Sequence, residues 1–238
     1  MKIGVIYAMK SELLIFNNEI YKIKKISNSV HELSLTKNKK KIIFIQSGIG
    51  KTESSIACTI LIKIYKVNFI INIGSAGKLN SSVKIFDIII AKKVSYYDVN
   101  LKSFGYKEGQ IPNYPKIFKT NLILRNVLKT ILNYYSIKYQ EGYIVSGDTF
   151  IDKKSKIKRI LQKFPIAISV DMESSSIKHT CYKFRIPCLI IKIISDHSKK
   201  KASSLFKKNI KKTSIKIKKI ITILIKFIIS IKEIYFAL

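Results

Sequence analysis

Two apolar runs, residues 166–170 (IAISV) and 186–194 (IPCLIIKII), each break off into an acid. The first is followed by Asp171, Met172 and Glu173, with a helical pattern over residues 172–184, and the second ends in Ser195 and Asp196. Near-continuous apolar runs of this length fit strands buried on both faces, and a sheet covered by helices on both sides binds its ligands outside the carboxyl ends of its strands. Glu173 and Asp196 are therefore the leading candidate site residues.

Further apolar runs at residues 2–8, 41–46, 68–73, 86–94 and 142–145 alternate with helical patterns over 52–65, 120–134 and 153–163. This alternation predicts one α/β domain spanning residues 1–238, a three-layer α/β/α arrangement around a mostly parallel, mixed central sheet. Residues 30–35 alternate weakly and are expected to pair with 41–46 as a hairpin across the Lys-rich turn 37–40. Residues 9–12 open a helix with Leu13, Leu14 and Phe16 on its apolar side, so Glu12 also stands at a strand exit.

Small residues mark the other exits. Ser47-Gly48-Ile49-Gly50-Lys51 runs into the helix 52–65, a place where glycines admit polar or anionic groups to a helix N-terminus. The motif ends in Lys-Thr as a phosphate-binding loop does, without that loop's four-residue spacing between glycines. Gly74-Ser75-Ala76-Gly77 closes the run 68–73 and leaves room for a close approach. Residues 96–114 read as a long loop, and loops of that length in compact domains are usually functional. Its apolar members Leu101, Phe104, Tyr106, Ile111 and Pro112 could cover a pocket or meet a second subunit.

Lys+Arg of 45 against Asp+Glu of 14 gives a formal charge of +31. Such a charge suggests nucleic acid or an anionic membrane as a partner. The lysines are scattered through every segment, however, among abundant Ile, Asn, Tyr and Phe. That is the profile AT-biased codon usage produces, so no specific nucleic-acid partner is expected, only salt-sensitive sticking to polyanions. Cys58, Cys181 and Cys188 show no CxxC spacing, which signals neither a disulfide framework nor a zinc site and fits a reducing cytoplasm. The opening MKIGVIYAMKSELL is a poor signal peptide. In the tail 215–238, lysines interrupt any membrane span, while Ile217, Ile220, Ile221, Leu224, Phe227, Ile228 and Ile231 recur at helical spacing. A terminal helix packed on the core is preferred over a membrane-surface helix.

With these exits in view, the chain resembles the 5′-methylthioadenosine/S-adenosylhomocysteine nucleosidases of the nucleoside phosphorylase superfamily. The resemblance rests on MKIGVIYAM with Glu12, SGIGK at 47–51, INIGSAG at 71–77, FGYKEGQIP at 104–112, VSGDTFI at 145–151, VDMES at 170–174 and SDHS at 195–198. Each pattern is loose alone; together, in order, they are specific. The resemblance implies a nucleoside phosphorylase-like fold and hydrolysis of the adenine N9–ribose C1′ bond of 5′-methylthioadenosine, S-adenosylhomocysteine and 5′-deoxyadenosine. It implies Asp196 as the acid protonating adenine N7, oriented by Ser195, Glu12 as the base activating water, and Glu173 with the Met172 backbone on the ribose hydroxyls. Phe150 would stack on adenine, the Ile151 backbone would meet its edge, and Ser75 would position water or ribose. Met9, Ile49 and Phe206 would line the alkylthio pocket, joined by Leu101, Phe104 and Pro112 of a neighbouring subunit in a homodimer that uses neither metal nor cofactor.

The chemistry asks for the same residue types. A purine leaves more readily once protonated and leaves behind an oxocarbenium-like sugar, so an acid is needed near the base and carboxylates near the sugar, as in glycoside cleavage. An Asp whose ordinary pKa is near ~3.9 must then be held protonated, which burial and neighbouring carboxylates favour. Three departures from the family pattern stand out: Lys192 where an arginine is usual, which keeps the charge without the planar fork, Asp171 where glutamate is frequent, and His197-Ser198 in place of the more common small apolar pair. Two other functions make different demands on the sequence. A purine or uridine nucleoside phosphorylase needs an arginine-built phosphate site, and Arg125, Arg159 and Arg185 all lie far from the N-terminal glycine motifs. A noncatalytic, basic nucleic-acid-binding protein would cluster its lysines and leave the three acids dispensable.

Overall fold

The computed structural model describes residues 1–12, 21–35, 40–199 and 201–230. Residues 9–12, expected to open a helix, form a turn in which Glu12 N donates to the Met9 carbonyl at 2.9 Å; the rest of that expected helix, with Leu13, Leu14 and Phe16, and the turn of the expected hairpin apart from Lys40 fall outside the described residues.

Strand β1 (Lys2–Tyr7) is buried along almost its whole length and pairs in parallel with β4 (Lys41–Gln46) on one side and β5 (Phe69–Lys78) on the other. The hairpin partner of β4 is β3 (Val30–Leu35), and beyond it an edge strand β2 (Tyr21–Lys25) is added that the sequence did not announce. Its sequence YKIKK offers too short an apolar pattern to read against its lysines.

The sheet then curls. One edge of β5 pairs with β1 through residues 69–72 and, further along, with β9 (Ala167–Asp171) at Gly77 and Lys78. Its other edge carries β10 (Cys188–Asp196), which pairs onward with β6 (Ile88–Tyr96). Next to β6 lies β8 (Gln140–Ser146), and β8 pairs with β9, so β5, β10, β6, β8 and β9 form a closed ring. A long, twisted strand such as β5 can serve two neighbours on one edge because its direction changes along its length. The short β7 (Phe118–Lys119) adds to β6.

Helices cover both faces. On one, α1 (Lys51–Lys63) and α4 (Ser174–Lys183) bring Ala57, Cys58, Leu61, Ile177 and Cys181 against Ile6, Ile70, Ile89, Ile144 and Ile190. On the other, α2 (Leu122–Tyr134) and α5 (Ala202–Ser230) cover Ile3, Val5, Phe44, Ile71, Ile90 and Ile191. Successive residues of one strand therefore enter different cores, as the period of two requires: Leu189, Ile191 and Ile193 of β10 face α5 while Cys188, Ile190 and Ile194 face α1 and α4. The Asn121 side chain caps α2 by accepting from Leu124 N at 2.9 Å. The third layer element, α3 (Lys154–Lys163), packs Ile157 and Ile160 on Tyr143, Val145 and Val170.

As far as Ser230 the terminal helix follows its periodicity; Ile231 lies outside the described residues. Ile217, Ile220, Ile221, Leu224 and Ile228 are buried in the core, each contributing on the order of 1.5–3 kcal/mol of burial. No helix among the described residues is long and apolar enough to cross a membrane. The loop between β6 and β7 holds a single 3-10 turn at Lys102–Phe104.

Candidate active site

The strand exits meet at the end of β5. Gly74, Ser75, Ala76 and Gly77 belong to the strand itself and form the wall on which two acids rest. A Cβ on Gly74 would come within 3.0 Å of the Glu12 carboxylate, and one on Gly77 within 3.2 Å of Asp196 Oδ1 and 2.2 Å of Ser198 Oγ. The glycines thus leave the space that two carboxylates occupy.

Among the described residues, four donors hold Glu12. Ala8 N and Met9 N donate to Oε2 at 3.0 and 3.2 Å, and Ser75 N and Oγ donate to Oε1 at 2.8 and 2.6 Å. Asp196 sits where the pairing of β10 with β5 skips a residue between Ile194 and Asp196, an irregularity of the kind that re-aims side chains beside active sites. Ser195 Oγ donates to Asp196 Oδ2 at 3.0 Å, Ser198 N donates to Oδ1 at 2.8 Å, and Asn209 of α5 ties down the Ser195 carbonyl at 2.8 Å. Burial raises the Asp196 pKa above the ordinary carboxylate range, against the opposing pull of its hydrogen bonds from Ser198 and Ser195.

Glu173 occupies the turn between β9 and α4. Its carboxylate does not cap α4, the helix it precedes; it accepts from Gly50 N, at the start of α1, at 3.1 Å. Burial pushes its pKa up to about 7 despite the nearby Lys192 ammonium, with Asp171 and Glu12 adding to the rise.

Two of the departures noted in the sequence, Lys192 and Asp171, form one ion pair. Lys192 Nζ lies 2.8 Å from Asp171 Oδ2 and 3.7 Å from Glu173 Oε2, with the Lys192 and Asp171 side chains only 2% exposed. Burial opposes the Lys192 charge, but Asp171, Glu173 and Glu12 outweigh it and its pKa is raised. Asp171 is further satisfied by Ser146 Oγ at 2.6 Å and by the Ser174 hydroxyl.

A cavity of ≈ 270 Å³ opens between these groups. Met9, Glu12, Ile49, Ser75, Phe150, Ile151, Met172, Glu173, Ser195, Asp196 and Phe206 all line it. Phe150 and Phe206 face each other edge to face with centroids 6.4 Å apart. Leu101, Phe104 and Pro112 do not line the cavity of their own chain, and Phe104 is 77% exposed. Thr149, Val170 and Ser198, which stand inside the motifs quoted above without an assigned role, also line it, and so do two residues that the sequence did not mark, Ser203 and Lys207 from the first turns of α5. No apolar run precedes these last two, so nothing local marked them. Among the described residues no group of three or more His, Cys, Asp or Glu side chains is arranged to hold a metal ion.

A closed mixed sheet with an acid-lined, partly apolar cavity at its strand ends defines the class, and a family model described as the phosphorylase superfamily matches residues 2–226. A 5′-methylthioadenosine/S-adenosylhomocysteine nucleosidase of Buchnera aphidicola subsp. Schizaphis graminum is 49% identical over 97% of this chain and 98% of its own. The solved S. pneumoniae nucleosidase of the same name, bound to a transition-state inhibitor, superposes with a TM-score of 0.86 at 28% identity, covering 95% of this chain and 99% of that one. A futalosine hydrolase mutant of Helicobacter pylori gives 0.86 at 27% identity over 95% and 99%. The chain belongs to the 5′-methylthioadenosine/S-adenosylhomocysteine nucleosidase family of the phosphorylase superfamily.

Proposed function

We propose that the protein hydrolyses the N-glycosidic bond of 5′-methylthioadenosine and S-adenosylhomocysteine, and of 5′-deoxyadenosine, releasing adenine and the 5-substituted ribose. The observation that carries the reading is that Glu12, Glu173 and Asp196, far apart in the chain, line one cavity with small and apolar walls. Asp196, whose hold on its proton is strengthened by burial, gives that proton to adenine N7 as the C1′–N9 bond breaks, and the bonding electrons leave with the base. Glu12 takes a proton from water as its oxygen bonds to C1′. Glu173, with the Met172 backbone, accepts hydrogen bonds from the ribose hydroxyls and stabilises the positive sugar. Ser195 orients Asp196, Ser75 orients Glu12 and the water, Phe150 stacks on the base with the Ile151 backbone at its edge, and Met9, Ile49 and Phe206 receive the alkylthio group.

Water rather than phosphate is the nucleophile. The backbone N–H groups of Gly50 and Lys51 at the start of α1 are already taken by the chain's own carboxylates, Glu173 and Asp148. Arg125 is paired with Glu141, and none of the arginines lines the cavity. The working form is a homodimer in the cytoplasm, with Leu101, Phe104 and Pro112 of one subunit closing the alkylthio pocket of the other; the free thiols of Cys58, Cys181 and Cys188 suit a reducing compartment. Incubating purified protein with 5′-methylthioadenosine, with and without phosphate, and analysing the sugar product tests the reading. Free methylthioribose at equal rates in both supports it, and a sugar 1-phosphate formed only with phosphate overturns it.

A further inference from the structure

The glycine motif before α1 ends in Lys51-Thr52 as a phosphate loop does, and the Lys51 side chain has no part in the chemistry above. We propose that Asp148, gripped by this helix start, is a positioning residue that holds the base-stacking segment 149–151 to the same helix end that holds Glu173. The proposal rests on the nucleosidase reading and goes beyond it.

Two consecutive N–H groups point at two different acids: Gly50 N donates to Glu173 Oε1 at 3.1 Å and Lys51 N to Asp148 Oδ1 at 2.8 Å. A helix N-terminus favours negative charge, so carboxylates from separate parts of the chain can sit side by side there. Lys51 balances the second. Its ammonium lies 3.5 Å from Asp148 Oδ2 and 2.6 Å from Asp98 Oδ2, and Asp98 in turn accepts from Asp148 N at 3.0 Å. Tyr97 OH donates to the Thr149 carbonyl at 2.7 Å, fixing the next residue before Phe150 and Ile151 enter the cavity. Gly50 makes the approach possible: its φ is 99°, and a Cβ there would stand 3.0 Å from Asp148 Oδ1. The motif's lysine is thus engaged by two aspartates, and the base wall and the ribose acid are referred to one rigid element.

A purely stabilising role makes a different forecast. The side chain of Asp148 is 47% exposed, and exposed ion pairs add little to stability, so loss of the pair alone would leave substrate affinity unchanged. The test compares Asp148→Ala, Asp148→Asn, Lys51→Met and the double variant Lys51→Met/Asp148→Ala in steady-state turnover of 5′-methylthioadenosine, with adenine affinity measured by calorimetry on the same proteins. Asp148→Ala is expected to raise KM and weaken adenine binding by about tenfold, the loss of one charge-assisted hydrogen bond, with kcat within about threefold. Asp148→Asn, whose side-chain oxygen can still accept from Lys51 N, recovers most of the loss, and the double variant is no worse than the worse single one. Unchanged KM and adenine affinity in a folded Asp148→Ala protein, or no recovery with Asn, overturns the proposal. Absence of turnover in the parent speaks against the nucleosidase reading, while the calorimetry still reports on the clamp.

Discussion

At the residue scale the site is built from carboxylates placed where ionisation is costly. Burial raises the Asp196 pKa, so the proton needed at adenine N7 is retained to higher pH than in an exposed aspartate and is lost as pH rises through the raised value. The kcat/KM for 5′-methylthioadenosine should therefore fall on the alkaline side of its pH profile, while a flat alkaline limb would remove Asp196 as the acid. Glu173 makes a prediction about stability. Its folded pKa is raised, to about 7, above its unfolded value, so its ionised form penalises the fold: the penalty is absent below the unfolded value, grows between the two, and is complete above the folded one. Glu173→Gln should accordingly be more stable than the parent at pH 8, by on the order of 1–3 kcal/mol, with the difference vanishing near pH 4.5 in denaturant titrations. Lys192 behaves oppositely. Replacing it with Met strands Asp171 and Glu173 without their cation in a buried setting, a loss expected at ~3–5 kcal/mol by the same titrations.

At the scale of elements, β5 is the part on which the others are registered. Its first half is flanked by β1 and β10, its tip by β9, and its glycines give Glu12 and Asp196 their space. Gly77→Ala would press a methyl group against Ser198 Oγ and Asp196 Oδ1 and should lower kcat by an order of magnitude or more while the fold persists, checked by turnover alongside circular dichroism. Most of this was legible in the sequence because strands buried on both faces leave unbroken apolar runs, and the acids follow those runs directly. The helix over 153–163 and the terminal helix were legible from spacing alone, and Ile217, Ile220 and Leu224 are buried as that spacing requires. What sequence could not carry was pairing between distant segments. The Lys192–Asp171 ion pair joins β10 to β9, the Gly50–Glu173 bond joins the α1 start to the turn before α4, and the ring closure of the sheet depends on β5 meeting β9 only at its last residues. Strand 86–94 was also expected two residues early; a turn in which Lys84 N donates to Asp87 Oδ2 at 2.7 Å delays it to Ile88.

On the scale of the whole molecule, a chain of formal charge +31 encloses a cavity whose lining includes the acids Glu12, Asp171, Glu173 and Asp196. Phe104, at 77% exposure, is a side chain that the second subunit would cover in the proposed homodimer. Phe104→Asp should shift the protein toward monomer in light scattering and raise KM for 5′-methylthioadenosine; an unchanged dimer with unchanged KM would remove Phe104 from the interface. The claim on which all of this depends is that Asp196 supplies the proton that lets adenine leave. Adenine release by Asp196→Asn, a change of one group in a site otherwise intact, measures it directly. Release reduced by about three orders of magnitude or more in a folded protein is the expected result, and turnover near that of the parent would contradict it.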